Sequence, residues 1–226
     1  MMRLNHLIIG AIVAGYLVCA GSAAYAYGLF SGADENERQH LFNSSLDSIS
    51  YELDEFPKWT GVMARQQSDS VNAGSACSSG TGGACAYVKW IRRMQGLSGQ
   101  SPMATLQAVN QSVNAIPYGF DQKLWGKSDY WATPLEFFSK RSGDCEDYAI
   151  AKYYGLAAAG IPTDNMRVVI LKDMRLQILH AVLAVYVDGT AYILDNRNSD
   201  VKPSTLISHY HPIYSINEKA WWRHQA

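Results

Sequence analysis

The spacing of apolar residues changes character at Pro162. Up to about residue 160 they recur at helical intervals, and beyond it they run in short β-branched stretches. Residues 34–56 carry Leu41, Phe42, Leu46, Ile49 and Leu53 on one helical face, which predicts a helix closed by Pro57. Residues 58–63 predict a second, short helix, and the Ser-, Gly- and Asn-rich residues 68–84 predict a loop. Residues 87–97 and 102–116 predict helices. The second has Leu106, Val109 and Val113 on one face and Pro102 near its start. Residues 117–132 predict an aromatic loop with Tyr118, Phe120, Trp125, Tyr130 and Trp131, which either pack a core or line a groove. Thr133-Pro134-Leu135-Glu136 predicts a capped helix start, and that helix ends by Gly143. Asp144 then reads as the N-cap of a further helix, with Asp147 three residues on. Its apolar face is Ala149, Ile150, Tyr153, Tyr154 and Ala157, and Gly160 and Pro162 stop it.

Past Pro162, residues 166–171, 176–187 and 190–196 predict antiparallel strands, with Asp188-Gly189 as a two-residue hairpin turn. Helices first and strands after them make an α+β fold. The turn also sets a register. Val187 faces Thr190, so His180 lies opposite Arg197, and Asp195 points to the same face as His180. As diagonal neighbours their backbones lie about 7–8 Å apart, within reach of an imidazole and a carboxylate. A bulge would break that parity.

The 226 residues, 48% of them hydrophobic, suffice for one domain with an added segment. The net charge of -1 gives no reason to expect a nucleic-acid partner, and 6 tryptophans with 14 tyrosines argue against disorder. The added segment is residues 1–26: Met1-Met2-Arg3, an apolar run over 7–20, and small residues ending Ala24-Tyr25-Ala26. This is the order of a secretory signal peptide, with residues 27–226 as the mature domain and the periplasm as its destination. The alternative is an uncleaved anchor, although the run is short for a membrane span. Val18 is a poor residue before a lipid-modified Cys19. After cleavage Cys77, Cys85 and Cys145 remain. The first two flank a flexible loop that can close into a disulfide in an oxidising compartment, and Cys145 is left over.

Cys145 is also the residue around which chemistry gathers. In the first turn of a helix, unpaired N–H groups and the helix dipole favour a thiolate. Asp144, Glu146 and Asp147 oppose it. Either the cysteine is an inert structural residue or a cation offsets the acids, and calcium held by Asp144 and Glu146 suits hard carboxylate oxygens. Acids at a helix start are also ordinary. A nucleophilic cysteine needs a base and a group to orient it, and His180 followed by Asp195 satisfies that order. Taken singly, His180 reads as a sheet histidine and Asp195 as a strand-end turn residue. His209 and His211 lack the companions of a zinc site.

The order helix-cysteine, strand-histidine, strand-aspartate resembles the transglutaminase-like, papain-related fold. More closely, the chain resembles the bacterial transglutaminase-like cysteine proteinases, the LapG-type periplasmic proteases. The resemblance rests on residues 129–137 (DYWATPLEF), residues 143–148 (GDCEDY), Lys152-Tyr153, residues 180–183 (HAVL), residues 194–196 (LDN) and residues 214–218 (YSINE). It implies a calcium-dependent endopeptidase in which Cys145 is the nucleophile, His180 the general base and acid, and Asp195 the orienting carboxylate. Asp144 and Glu146 match the family's calcium-binding acids, with Asp147 a further candidate ligand. The implied substrate is a large surface adhesin, cut near its N-terminus beside two alanines to disperse a biofilm. The implied partner is the periplasmic part of an inner-membrane cyclic di-GMP receptor. The Cys145 N–H serves as one oxyanion-hole donor, with Trp125, Tyr130 and Trp131 as candidates for the other. A transglutaminase-type acyl transferase and a non-catalytic binding module of the same fold are the alternatives.

Overall fold

The computed structural model describes residues 40–80 and 83–225; the expected signal segment, residues 1–26, lies outside them. The described helices are α1 (Pro57–Ser78), α2 (Ala84–Gln95), α3 (Pro102–Asn114), α4 (Asp121–Leu124), α5 (Pro134–Lys140) and α6 (Cys145–Ala158). The strands are β1 (Ser45–Ser50), β2 (Met166–Asp173), β3 (Ile178–Val187), β4 (Thr190–Leu194), β5 (Lys202–Pro203), β6 (Tyr210–Ile216) and β7 (Trp221–Gln225). They form one antiparallel sheet in the order β1-β7-β6-β2-β3-β4-β5. The fold is the expected α+β plan.

The central strands are apolar on both faces, which is why they read as near-continuous hydrophobic runs. Along β3, Leu183, Val185 and Val187 face the helical layer, in a core with Trp59, Phe137, Ile150, Tyr153 and Leu156. The alternate residues Val182, Ala184 and Tyr186 face a smaller core closed by Leu41, Phe42, Ile207 and Tyr210. Helix α6 is the hub. It packs on β3 and β2 and, on its far side, meets α2, α3 and α5. Ten of its residues are buried, which explains the weak amphipathic pattern of its sequence.

The hairpin forms as its turn residues dictate. Asp188 and Gly189 both have positive φ, 48° and 74°, and Val187 pairs with Thr190 through to Leu183 with Leu194. The capped start at Thr133 is also present, with Pro134 in the first turn.

Three local expectations fail. Residues 41–43 form a 3-10 turn and β1 follows, where a helix over 34–56 was expected from the apolar spacing. β1 pairs with β7 at the other end of the chain, and a local period cannot reveal that partner. Pro57 begins α1 and does not end a helix, because its missing N–H costs nothing at the first helical position. Helix α1 then runs on to Ser78, through residues expected to be loop. Its serines and asparagines turn back onto their own helix: Asn72 donates to Ser68 O at 2.9 Å and Ser78 to Gly74 O at 3.1 Å. The Cys77–Cys85 disulfide, with Cα atoms 4.5 Å apart, ties the end of α1 to the start of α2. Inside the aromatic loop, residues 121–124 form the single-turn helix α4.

Candidate active site

The site is built from the start of α6 and the start of β3. Thr133 caps α5 by a reciprocal pair of bonds: Glu136 N–H donates to Thr133 Oγ1 at 3.2 Å, and Thr133 N–H to Glu136 Oε2 at 2.8 Å. Arg141 adopts the left-handed conformation, φ 56°, and ends the helix. The chain then crosses the aromatic loop. Tyr118 and Gly143 form a parallel bridge, and Gly119 N–H donates to Gly143 O at 2.8 Å. A Cβ on Gly143 would lie 2.5 Å from Asp147 Oδ2 and 2.6 Å from the Phe137 ring, so only glycine fits there. Gly143→Ala is therefore expected to lower stability by about 1–3 kcal/mol and to slow alkylation of Cys145. Thermal unfolding and iodoacetamide kinetics would check this; wild-type values for both would contradict the crowding argument.

Asp144 and Asp147 frame the helix start as expected. The Asp144 N–H donates to Asp147 Oδ2 at 3.3 Å, and the Ala132 N–H donates to Asp147 Oδ1 at 2.7 Å. Asp147 thus spends both oxygens bracing the loop to α6, and the structure does not bring it among the acids that face the site. Those are Asp144, Glu146 and Asp121, whose candidate ligand oxygens all lie within 4.8 Å of one another. Asp121 is the member that sequence reasoning missed. It lies on α4, distant in the chain, and no local pattern marks it. Its Oδ2 accepts from the Tyr130 N–H, while Asp121 Oδ1 and Asp144 Oδ1 are buried without a hydrogen-bond partner. Burial, then repulsion from Glu146 and Asp147, pushes Asp144 up to about 9, and burial raises Glu146 and Asp121 as well.

Cys145, half-buried, opens α6. Its thiol lies 3.2 Å from Glu146 Oε2 and next to the backbone N–H of Ala181 on β3. Burial and then the Glu146 charge hold the thiol far above its ordinary range. His180, the residue before Ala181, is 1% exposed. Its Nε2 lies 2.9 Å from Asp195 Oδ1, across the hairpin, as the register arithmetic requires. Its Nδ1 is buried and has no hydrogen-bond partner. Asp195 sits just past β4 and is held on every side. Tyr210 Oη donates to Oδ2 at 2.7 Å, the Arg197 N–H to Oδ1 at 3.0 Å, and Asn114 Nδ2 to its carbonyl at 2.8 Å. Burial alone would raise the Asp195 pKa, but the His180 bond and charge outweigh it and bring it down to about 2.

Cys145 and His180 open into one cleft of about 640 Å³, walled by Phe56, Trp59, Trp131 and Tyr214. The aromatic loop therefore divides between the two readings. Trp131 is 7% exposed and belongs to both core and cleft, whereas Tyr118 and Phe120 are 48% and 69% exposed. Tyr130 Oη donates to Glu136 Oε1 at 2.7 Å, and the Trp125 indole packs against the Tyr130 ring at 4.6 Å.

The arrangement presents a thiol and an imidazole to one cleft. The profile of the bacterial transglutaminase-like cysteine proteinases matches residues 77–224. The calcium-bound LapG of Legionella pneumophila is 31% identical, with 62% of this chain and 77% of that chain covered at a TM-score of 0.56. A further LapG structure from that organism is 29% identical over 72% and 85% of the two chains, TM-score 0.56. The EGTA-treated form is 28% identical over 73% and 86%, TM-score 0.57. No curated protein matches the chain. With more than half of its length inside the family profile, and with helices and an antiparallel sheet arranged as in those structures, this chain belongs to the bacterial transglutaminase-like cysteine proteinases.

Proposed function

We propose that this protein is a calcium-dependent cysteine endopeptidase in which Cys145, His180 and Asp195 act as a triad. One observation carries the reading: a thiol at a helix start shares a cleft with a histidine whose Nε2 is engaged by an aspartate and whose Nδ1 is free. With Asp195 accepting from Nε2–H, the imidazole keeps its lone pair on Nδ1 and can take the thiol proton there. The sulfur then attacks a peptide carbonyl, and the Cys145 N–H donates to the oxyanion. His180 returns the proton to the leaving amine as the C–N bond breaks. It next takes a proton from water, which attacks the thioester and releases the second product.

Asp121, Asp144 and Glu146 fit a calcium ion: all are hard carboxylates, and two of their oxygens are buried and unpaired. Asp147, with both oxygens bonded to backbone N–H groups, serves as a brace to this set. Bound there, calcium supplies the positive charge that offsets these acids and makes the Cys145 thiolate accessible. EGTA is expected to abolish cleavage and excess calcium to restore it. Asp121→Asn is expected to weaken calcium binding about 10-fold or more, read by titration calorimetry as well as by activity. Equal activity in excess EGTA would remove the metal from the reaction.

The family resemblance supports a large surface adhesin as the substrate, cut near its N-terminus beside two alanines, with release of the adhesin and dispersal of a biofilm. It also supports a periplasmic location reached through residues 1–26, and restraint by the periplasmic part of a cyclic di-GMP receptor. None of the described helices is long and apolar enough to cross a membrane. Incubation with an adhesin N-terminal fragment, with and without calcium, tests the substrate; an intact fragment beside an active enzyme would exclude it.

A further inference from the structure

We propose that Tyr118 is a catalytic residue whose hydroxyl donates the second hydrogen bond to the oxyanion, alongside the Cys145 N–H. The inference rests on the cysteine-peptidase reading above.

Two anchors fix the tyrosine. Its backbone is bridged to Gly143, two residues before Cys145, and the Gly119 N–H bond to Gly143 O locks that pairing. A Cβ on Gly119 would fall 2.2 Å from Ser142 Oγ, so the two segments are in contact and the tyrosine cannot swing away as a loop would. Its ring stacks on Tyr148, with centroids 6.3 Å apart and planes 20° apart, and Phe120 meets it edge-on at 5.3 Å. Tyr148 follows Cys145 by three residues, so the two share a helical face. Its own hydroxyl donates to Ile116 O, which pins it in turn. The Tyr118 side chain therefore lies across the first turn of α6, over the face that carries the thiol.

The hydroxyl end is the chemically interesting one. Tyr118 is 48% exposed, and among the described residues its hydroxyl makes no hydrogen bond. A phenol is protonated at neutral pH, and burial raises its pKa further. The bridge to Gly143 and the stack on Tyr148 place the tyrosine beside the start of α6. A protonated phenol held there, with no partner of its own, is a donor waiting for an anion. The other aromatic candidates are less suited. The Tyr130 hydroxyl already donates to Glu136, and Trp125 is packed on Tyr130. Trp131 is the remaining competitor, because it walls the cleft.

The test compares wild type, Tyr118→Phe, Trp131→Phe and Cys145→Ala, all in saturating calcium. Four quantities are read: kcat and KM for peptide cleavage, affinity for acetyl-Ala-alaninal, and the rate of Cys145 alkylation by iodoacetamide. The aldehyde adds the thiol to form a hemithioacetal whose oxygen occupies the oxyanion position; alkylation forms no such oxygen. Tyr118→Phe is expected to lower kcat by about 10- to 1000-fold with little change in KM. Aldehyde affinity should fall with kcat, and alkylation should stay at the wild-type rate. Unchanged kcat and aldehyde affinity in Tyr118→Phe, beside an inactive Cys145→Ala, would overturn the proposal and leave the peptidase reading standing. So would a loss that followed Trp131→Phe instead, or a fall in alkylation rate parallel to kcat. Cleavage by Cys145→Ala would sink the peptidase reading itself.

Discussion

Cys145→Ala is expected to abolish peptide cleavage, by about 10⁴-fold or more, with little effect on the fold. In the proposed mechanism the acyl intermediate is carried by this sulfur, so the loss is large and the oxyanion donors alone supply only the residual rate. The fold should survive because the residue occupies the first position of α6, where alanine is a good helix former and no core packing depends on the thiol. Removing a thiol that lies 3.2 Å from a crowded carboxylate should leave the calcium-free protein no less stable. Circular dichroism and thermal unfolding, measured beside an adhesin-fragment assay, separate the two effects. Substantial cleavage by the variant would end the mechanism; lost cleavage with a collapsed melting temperature would make Cys145 a structural residue.

The second large effect lies two turns further along the same helix. Lys152 is fully buried, and its Nζ has no hydrogen-bond partner. The Tyr148 ring is 5.9 Å away, at the limit of a useful cation–π contact, and Asp195 is the charge that acts on it. Burial outweighs Asp195 and brings the ammonium down to about 7. A folded-state pKa below the ordinary lysine value means that the unfolded chain binds a proton more readily than the folded one between about pH 7 and pH 10. Stability therefore rises with pH across that window, by about 2 kcal/mol from pH 7 to pH 9, and is lost again as pH falls toward 7. Lys152→Met keeps the length of the side chain and removes the charge. It is expected to stabilise the protein at pH 7 by roughly 2–4 kcal/mol and to flatten the rise toward pH 9. Urea unfolding at the two pH values measures both. A variant less stable than wild type at pH 7, or one that keeps the pH dependence, would show that the ammonium has a partner that stabilises it.

The geometry of the candidate site was legible where short-range rules govern it. A two-residue turn sets strand register, so the meeting of His180 and Asp195 followed from counting. Thr133-Pro134 and Asp144-Cys145 announced two helix starts because capping depends on four adjacent residues. What stayed hidden depends on distant partners. β1 is a strand because β7 lies beside it, and nothing in its serines says so. The second half of α1 holds residues that commonly break helices, yet its buried Gln66 and Ala73 and the disulfide beyond them keep it helical. Asp121 joins Asp144 and Glu146 only because the chain folds back at Gly119 and Gly143. Asp147 looked like one more acid of the same kind, and only its two backbone donors distinguish its task.

The pairing of β1 with β7 also bears on how the molecule reaches its final form. Ser45 is matched to Gln225, so the earliest described strand waits for the last one. Such a distant pairing is slow to form, and the rim of β7 stays open until it does. A polypeptide made from its N-terminus would therefore complete its helices and central hairpin first and seal the border of the sheet only once its last residues were free to pair.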